Sequence, residues 1–284
     1  MKYSILFFNK INPIIFSIGF ISIRWYGLMY ILAFFYTRYK LINKNDNLLI
    51  NKHKLDNLLY YCFFGLLLGG RIGYMIFYNL SLLIDDPLTL FKVWNGGMSF
   101  HGGLIGVILV IKIFSYKNNI RFFYITDIIT PTIPFGLGIG RLGNFINGEL
   151  WGKVINHYTP LAVMFPNAYY DDLIELMNNH KLESFFNLYH ALPRHPSQLY
   201  ELITEGILLF FIIQIFRKYF KLPVGGISGL FLVCYGIFRI LVENFRQSTN
   251  INILIYKISI GQLLSIPMLI TGIVIIIYSY IIKN

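Results

Sequence analysis

Charge is scarce in this chain. Only 13% of its 284 residues are Asp, Glu, Lys or Arg, where a soluble domain carries about a quarter. Hydrophobic residues make up 56%, and the mean hydropathy is +0.61. This excludes an ordinary soluble domain and predicts an integral membrane protein. Acidic residues are scarcer than basic ones, 13 against 24, for a net charge of +11. That excess does not point to nucleic acid. The basic residues are dispersed between apolar runs, without a basic domain, and read as membrane-orienting charge.

Cysteine is nearly missing too. Cys62 and Cys234 sit inside apolar runs. Neither has metal-ligand spacing, so both read as small buried hydrophobes. The six histidines, His53, His101, His157, His180, His190 and His195, form no H-E-x-x-H or related pattern. There is no G-x-S-x-G elbow. A metallohydrolase or serine lipase is disfavoured, and neither metal nor cofactor is expected. Lys2 and a short apolar run lack a small-residue cleavage site, so no cleavable signal peptide is expected.

Long apolar runs are abundant instead. A span needs about 20 residues. Seven candidates fall near 18–37, 57–79, 97–116, 123–147, 197–217, 225–243 and 259–282. Alternate connections are basic: Arg38, Lys40, Lys44, Lys52 and Lys54, then Lys117 and Arg121, then Arg217, Lys218 and Lys221. The others carry Asp85 and Asp86, or Glu149, Asp171, Asp172, Glu175 and Glu183. The positive-inside rule makes the basic set cytoplasmic, with the N-terminus outside and the C-terminus inside. The expected fold is an all-α, seven-transmembrane helix bundle forming one membrane-embedded domain over 1–284. Residues 148–195 form a small extracytoplasmic head insertion between spans four and five. A passive loop is the alternative for that segment. Small-xxx-small spacings at Gly65/Gly69/Gly73, Gly102/Gly106 and Gly136/Gly140 suggest close helix packing.

The chain is organised around residues 136–152, where Arg141, Asn144, Asn147 and Glu149 lie among closely spaced glycines at the end of an apolar run. Ionisable groups in lipid are costly and usually have a partner and a role. A guanidinium, two amides and a carboxylate suit an anionic, hydrogen-bonding head group. Gly138, Gly140 and Gly143 also spell G-x-G-x-x-G. That fingerprint requires a preceding strand and a βαβ unit, and a long apolar run stands there instead.

With the predicted orientation, the unusual residues of six spans gather on the outer side. These are Arg24 and Tyr26, Arg71, His101, Arg141 and Asn144, His195, and the series Tyr235, Arg239, Glu243 and Arg246. The last four follow i,i+4 and i,i+3 spacing along one helical stripe. An internal ion-pair ladder is the structural alternative for Glu243 and Arg246. Arg141 has no obvious adjacent carboxylate in the sequence, and two guanidiniums suit a phosphate. His101, beside Ser99 and flanking glycines, is a candidate general base for a thiol, against the alternative of a buried structural histidine. His195 precedes Pro196 at a helix start, where capping by Ser197 or orientation of a neighbour is expected. Trp25, Trp94 and Trp151 are placed as interface anchors.

Several ordered blocks carry a resemblance: Gly140-Arg141-Leu142-Gly143-Asn144-Phe145-Ile146-Asn147-Gly148-Glu149, Gly96-Gly97-Met98-Ser99-Phe100-His101-Gly102-Gly103, His195-Pro196-Ser197-Gln198-Leu199-Tyr200-Glu201, and Tyr235-Gly236-Ile237-Phe238-Arg239 with Glu243 and Phe245-Arg246-Gln247. Together they closely resemble the bacterial phosphatidylglycerol–prolipoprotein diacylglyceryl transferase family. The match runs from about Arg24 to Pro267, with little to align in 155–190.

The resemblance implies a cytoplasmic-membrane enzyme. It would move the sn-1,2-diacylglyceryl group of phosphatidylglycerol to the lipobox cysteine of a prolipoprotein, leaving a thioether and glycerol 1-phosphate. Its expected partners are phosphatidylglycerol, the prolipoprotein signal peptide and membrane lipid, and not nucleic acid. Arg141 and Arg239 would hold the phosphate, while Asn144, Asn147 and Tyr26 would orient the head group. His101 would act as base with Tyr235 as relay. Glu149 and Glu243 would position the arginines, with Arg246, Arg71 and His195 supporting. Two other classes compete. A phospholipid transporter or flippase would usually place its site near the midplane, often with internal repeats. A membrane scaffold would tolerate substitution at Arg141, Asn144 and Arg239.

Overall fold

The computed structural model describes residues 7–8, 11–18, 21–43, 50–92, 97–155, 161–247, 250–253 and 256–283. Its helices, in chain order, are α1 (Trp25–Asn43), α2 (Lys52–Tyr78), α3 (Leu80–Asp85), α4 (Phe100–Asn118), α5 (Phe122–Ile129) and α6 (Ile133–Asn147). Then come α7 (Tyr169–Asn178), α8 (Glu183–Tyr189), α9 (Ser197–Glu201), α10 (Leu209–Tyr219), α11 (Gly226–Glu243) and α12 (Ile260–Lys283). A π-helical segment, Leu202–Leu208, joins α9 to α10. The protein is an all-α integral membrane protein with a few short strands. Among the described residues, six helical runs are long and apolar enough to cross a membrane: Lys52–Tyr78, Phe100–Asn118, Phe122–Asn147, Ser197–Tyr219, Gly226–Glu243 and Ile260–Ile282. The last is strongly apolar, and little of it is buried by protein. Such a helix needs lipid around it.

The first expected span differs. Ile14–Ile18 pairs antiparallel with Ile21–Arg24, and the helix begins only at Trp25. Ile-rich segments of four or five residues suit strands, and hydropathy alone does not separate them from a helix end. The helix then continues past 37 to Asn43, where Arg38 and Lys40 dilute its apolar character. It is therefore not among the six.

The chain divides into two compact units. In the unit of residues 34–129, α2 and α4 pack along the predicted glycines. A Cβ at Gly65 would lie 2.8 Å from Val110 Cγ2 and 3.1 Å from Gly106 O. One at Gly69 or Gly102 would collide with the other's carbonyl. Leu55, Leu58, Leu59, Ile111, Phe114, Ile125 and Ile128 build the core beside this contact.

In the unit of residues 1–33 and 130–284, the close approach on α6 is not at Gly136 or Gly140. A Cβ at Gly136 would only touch Ala33, and one at Gly140 would meet nothing within 4 Å. Gly138 instead faces Gly206 of the π segment, where an added Cβ would sit 3.1 Å from the Gly206 Cα. The segment after α6 is folded. Val163–Met164 pairs in parallel with Phe7–Phe8 and antiparallel with Pro193–Arg194, and α7 and α8 lie between these strands in sequence.

Candidate active site

Three membrane-spanning runs and the turn after the last deliver six charged side chains to one place. α6 supplies Arg141. α9 and the π segment supply Glu201 and Glu205. α11 and the turn after it supply Arg239, Glu243 and Arg246. Arg141 Nε lies 3.2 Å from Glu201 Oε2, and its Nη2 lies 3.3 Å from Glu205 Oε2. Arg239 Nη1 pairs closely with Glu201 and lies 3.5 Å from Glu205 Oε1, while its Nη2 is 3.4 Å from Glu243 Oε2. Arg246 Nη1 lies 3.1 Å from Glu201 Oε1, and its Nε is 3.9 Å from Glu243 Oε2. Glu201 thus touches all three guanidiniums.

The three carboxylates are buried. The arginines keep 14–18% of their side chains accessible. Desolvating six charges costs more than a well-packed apolar core would, so stability alone does not account for them. The π segment lies within this cluster, where one wider turn carries Glu205; such turns recur at functional sites. Tyr235, one turn before Arg239, is buried against Phe231 and interacts electrostatically with both Arg141 and Arg239.

A second set of polar groups follows α6. Glu149 Oε1 accepts from Asn144 Nδ2 at 2.8 Å and from Asn147 Nδ2 at 3.3 Å. Gly148, at φ +61°, ends the helix and turns Glu149 back toward it. Glu149 therefore holds the two amides rather than an arginine. Among the described residues, the buried Asn147 Oδ1 has no hydrogen-bond partner. Tyr26 packs against α6 where a Cβ at Gly143 would come 3.1 Å from its ring, and its hydroxyl bonds Tyr30 at 3.0 Å.

The family model for prolipoprotein diacylglyceryl transferase matches residues 13–278. The chain is 51% identical to the phosphatidylglycerol–prolipoprotein diacylglyceryl transferase of Wigglesworthia glossinidia brevipalpis, over 96% of this chain and 98% of that protein. It is 49% identical to the protein of that name in Sodalis glossinidius, over 97% and 95%, and 48% identical to that of Escherichia fergusonii, over 99% and 97%. The chain belongs to the prolipoprotein diacylglyceryl transferase family.

Within this diacylglyceryl transferase fold, several expected site residues have other surroundings. Arg71 is buried and donates to the carbonyls of Thr89, Leu90, Lys92 and Gly97, at 2.6, 3.1, 3.0 and 3.3 Å. It organises the connection between α3 and α4. His101 belongs to the same unit of residues 34–129, is exposed on the first turn of α4, and meets the Phe100 ring edge-on. It is not a buried structural histidine. Ser99 caps that helix, accepting from Gly102 N at 3.3 Å. His195 Nδ1 lies 3.1 Å from the Tyr200 hydroxyl, and its ring packs on Phe245. Ser197 makes no cap; its hydroxyl donates to Leu150 O at 3.0 Å. Trp151 has protein partners. It packs on Phe165 and donates to Asp171 Oδ2 at 3.1 Å. Trp94 lies outside the described residues. The G-x-G-x-x-G glycines lie within α6, with α5 and a short 3-10 turn before it rather than a strand.

Sequence reasoning missed Glu201 and Glu205, although two carboxylates at i,i+4 inside an apolar span were visible. It also missed Asp172 and Arg194. These fully buried residues pair at 2.6 Å, and Asp172 further accepts from Leu192 N at 2.9 Å. Burial pushes the Asp172 carboxyl above the ordinary aspartate range, opposed by Arg194 and the Leu192 amide. Arg194 also donates to Gly152 O at 3.1 Å, three residues after Glu149, and so ties α7 to the chain leaving the site.

Proposed function

We infer that this chain transfers the diacylglyceryl group of phosphatidylglycerol to the lipobox cysteine thiol of a prolipoprotein. The family relationship supplies the reaction, and the Arg141–Arg239–Arg246 cluster on three buried carboxylates is the observation that carries the site. A sulfur–carbon bond forms at the glycerol carbon bearing the phosphate. The carbon–oxygen bond to that phosphate breaks, and glycerol 1-phosphate leaves. The thiol proton leaves with the base, so the nucleophile is the substrate thiolate and not Cys62 or Cys234.

Charge stabilisation on the departing phosphate is then the main catalytic task. Three guanidiniums and three carboxylates leave the cluster without net charge. An entering phosphodiester competes with Glu201 and Glu205 for the arginine donors. Arg141 keeps the most accessible side chain of the three, 18%, which makes it the first donor available. Asn144 and Asn147, held by Glu149, face the hydroxyl-bearing head group, and Tyr26 flanks them. In this reading His101 takes the thiol proton. Tyr235 is beside the arginines, and His101 is accessible at its helix start.

The site lies at the outer side of the cytoplasmic membrane in this reading. α1 is a seventh span, with the N-terminus outside and the C-terminus in the cytoplasm. The basic connections support that orientation.

The direct test is turnover of Arg141→Ala and Arg239→Ala in protein whose folding is checked by thermal melting. Each loses at least about a hundredfold, the scale of removing one transition-state donor. Wild-type turnover in both would end the phosphate assignment. His101→Gln with unchanged rate and pH dependence would remove His101 as base.

A further inference from the structure

Helix α7 is amphipathic in the inverted sense. Its acidic side chains face the protein. Asp171 accepts from Trp151, Asp172 pairs with Arg194, and Glu175 Oε1 accepts from Gln247 Nε2 at 3.4 Å. Its apolar residues at i, i+4 and i+7 face away: Tyr170 is 78% exposed, Ile174 58% and Met177 76%. A solvated helix shows the opposite pattern. A surface stripe of this kind marks an interaction site.

The depth of the helix says what covers the stripe. Each polar anchor of α7 sits close to the end of a membrane-spanning run. Trp151 is four residues past the end of α6 at Asn147. Arg194 is three before Ser197, where α9 begins. Gln247 is four after Glu243, the end of α11. Four residues reach about 14 Å at full extension. They reach less after α6, because Gly148 and Leu150 turn the chain at φ +61° and +59°. The polar zone of a bilayer adds roughly 5–7 Å on each face of the hydrocarbon core, and interfacial helices bury their apolar side at that level. All three anchors therefore hold α7 beside the head groups. Its carboxylates are turned inward, so the exposed face presents no like charge to anionic lipid.

We propose that α7 is an interfacial helix whose Tyr170–Ile174–Met177 face docks on the lipid surface and seats the 148–195 segment against the membrane. The inference needs only an integral membrane protein and stands apart from the transferase reading.

The test uses the full chain with Cys62→Ala and Cys234→Ala, in vesicles of phosphatidylethanolamine and phosphatidylglycerol. Ile174→Cys, Met177→Cys and, as a control on the exposed polar edge, Asn178→Cys are each spin-labelled. Collision with a water-soluble nickel chelate is compared with collision with oxygen. The expected nickel accessibility is at least about fivefold lower at 174 and 177 than at 178, as lipid burial requires. Equal nickel accessibility at all three positions would overturn the proposal. So would positions 174 and 177 that are wet in vesicles and become shielded only when a lipobox peptide is added, which would assign the face to the peptide. Turnover is not the readout, so failure here leaves the transferase reading intact.

Discussion

At the scale of single residues, the molecule is governed by how few charges it buries and how completely it pairs them. Glu201 is the hub, since it meets Arg141, Arg239 and Arg246. Glu201→Gln removes the shared partner and leaves excess positive charge in a buried site. A loss of about 3–5 kcal/mol is expected, the usual effect of breaking a buried pair. Thermal unfolding in detergent measures it. The fully buried Asp172–Arg194 pair makes the same kind of prediction away from the cluster. Arg194→Ala strands a carboxylate and lowers stability by about 3–5 kcal/mol, whereas Asp172→Asn keeps a hydrogen-bonding side chain in place and costs less. A melt of the two variants side by side separates these outcomes. Much of the cluster was legible in the sequence. Arg239, Glu243 and Arg246 announce themselves by helical spacing, and Arg141 by its place in an apolar run. Their partner Glu201 was harder to assign, because nothing local ties α9 to α6 or α11. Asp172 and Arg194 are 22 residues apart and show no pattern at all.

At the scale of elements, glycine position decides which helices touch. The spacings Gly65/Gly69/Gly73 and Gly102/Gly106 suggested close helix packing without naming partners, and these glycines meet one another between α2 and α4. On α6 the same spacing was a poor guide. Gly138, not Gly136 or Gly140, meets the neighbouring backbone, since the π segment sets which face of that span turns toward α6. Gly69→Leu is expected to lose at least about 1–3 kcal/mol by overpacking, while Gly140→Ala, with open space around its Cβ position, stays within about 0.5 kcal/mol of wild type. Melting temperatures of the two purified variants check this. The spans after the first follow from hydropathy and length. The paired strands Ile14–Ile18 and Ile21–Arg24 do not, because their residues are as apolar as a helix end.

At the scale of the whole molecule, a membrane fold is joined to chemistry on a membrane lipid. Low charge, apolar helices with little protein burial, and a neutral cluster of arginines and glutamates together suit an enzyme that receives an anionic lipid from the bilayer. Near-full-length identity of about half to several diacylglyceryl transferases leaves the transporter and scaffold readings without support. One assay addresses the head-group chemistry directly. Purified protein in detergent is mixed with phosphatidylglycerol and a lipobox peptide. Mass spectrometry follows the peptide while glycerol phosphate is quantified. The account predicts a diacylglyceryl mass increment on the peptide cysteine, with one glycerol phosphate released per peptide modified. A folded protein that binds phosphatidylglycerol yet leaves the peptide unmodified, or one that releases glycerol without its phosphate, would contradict it.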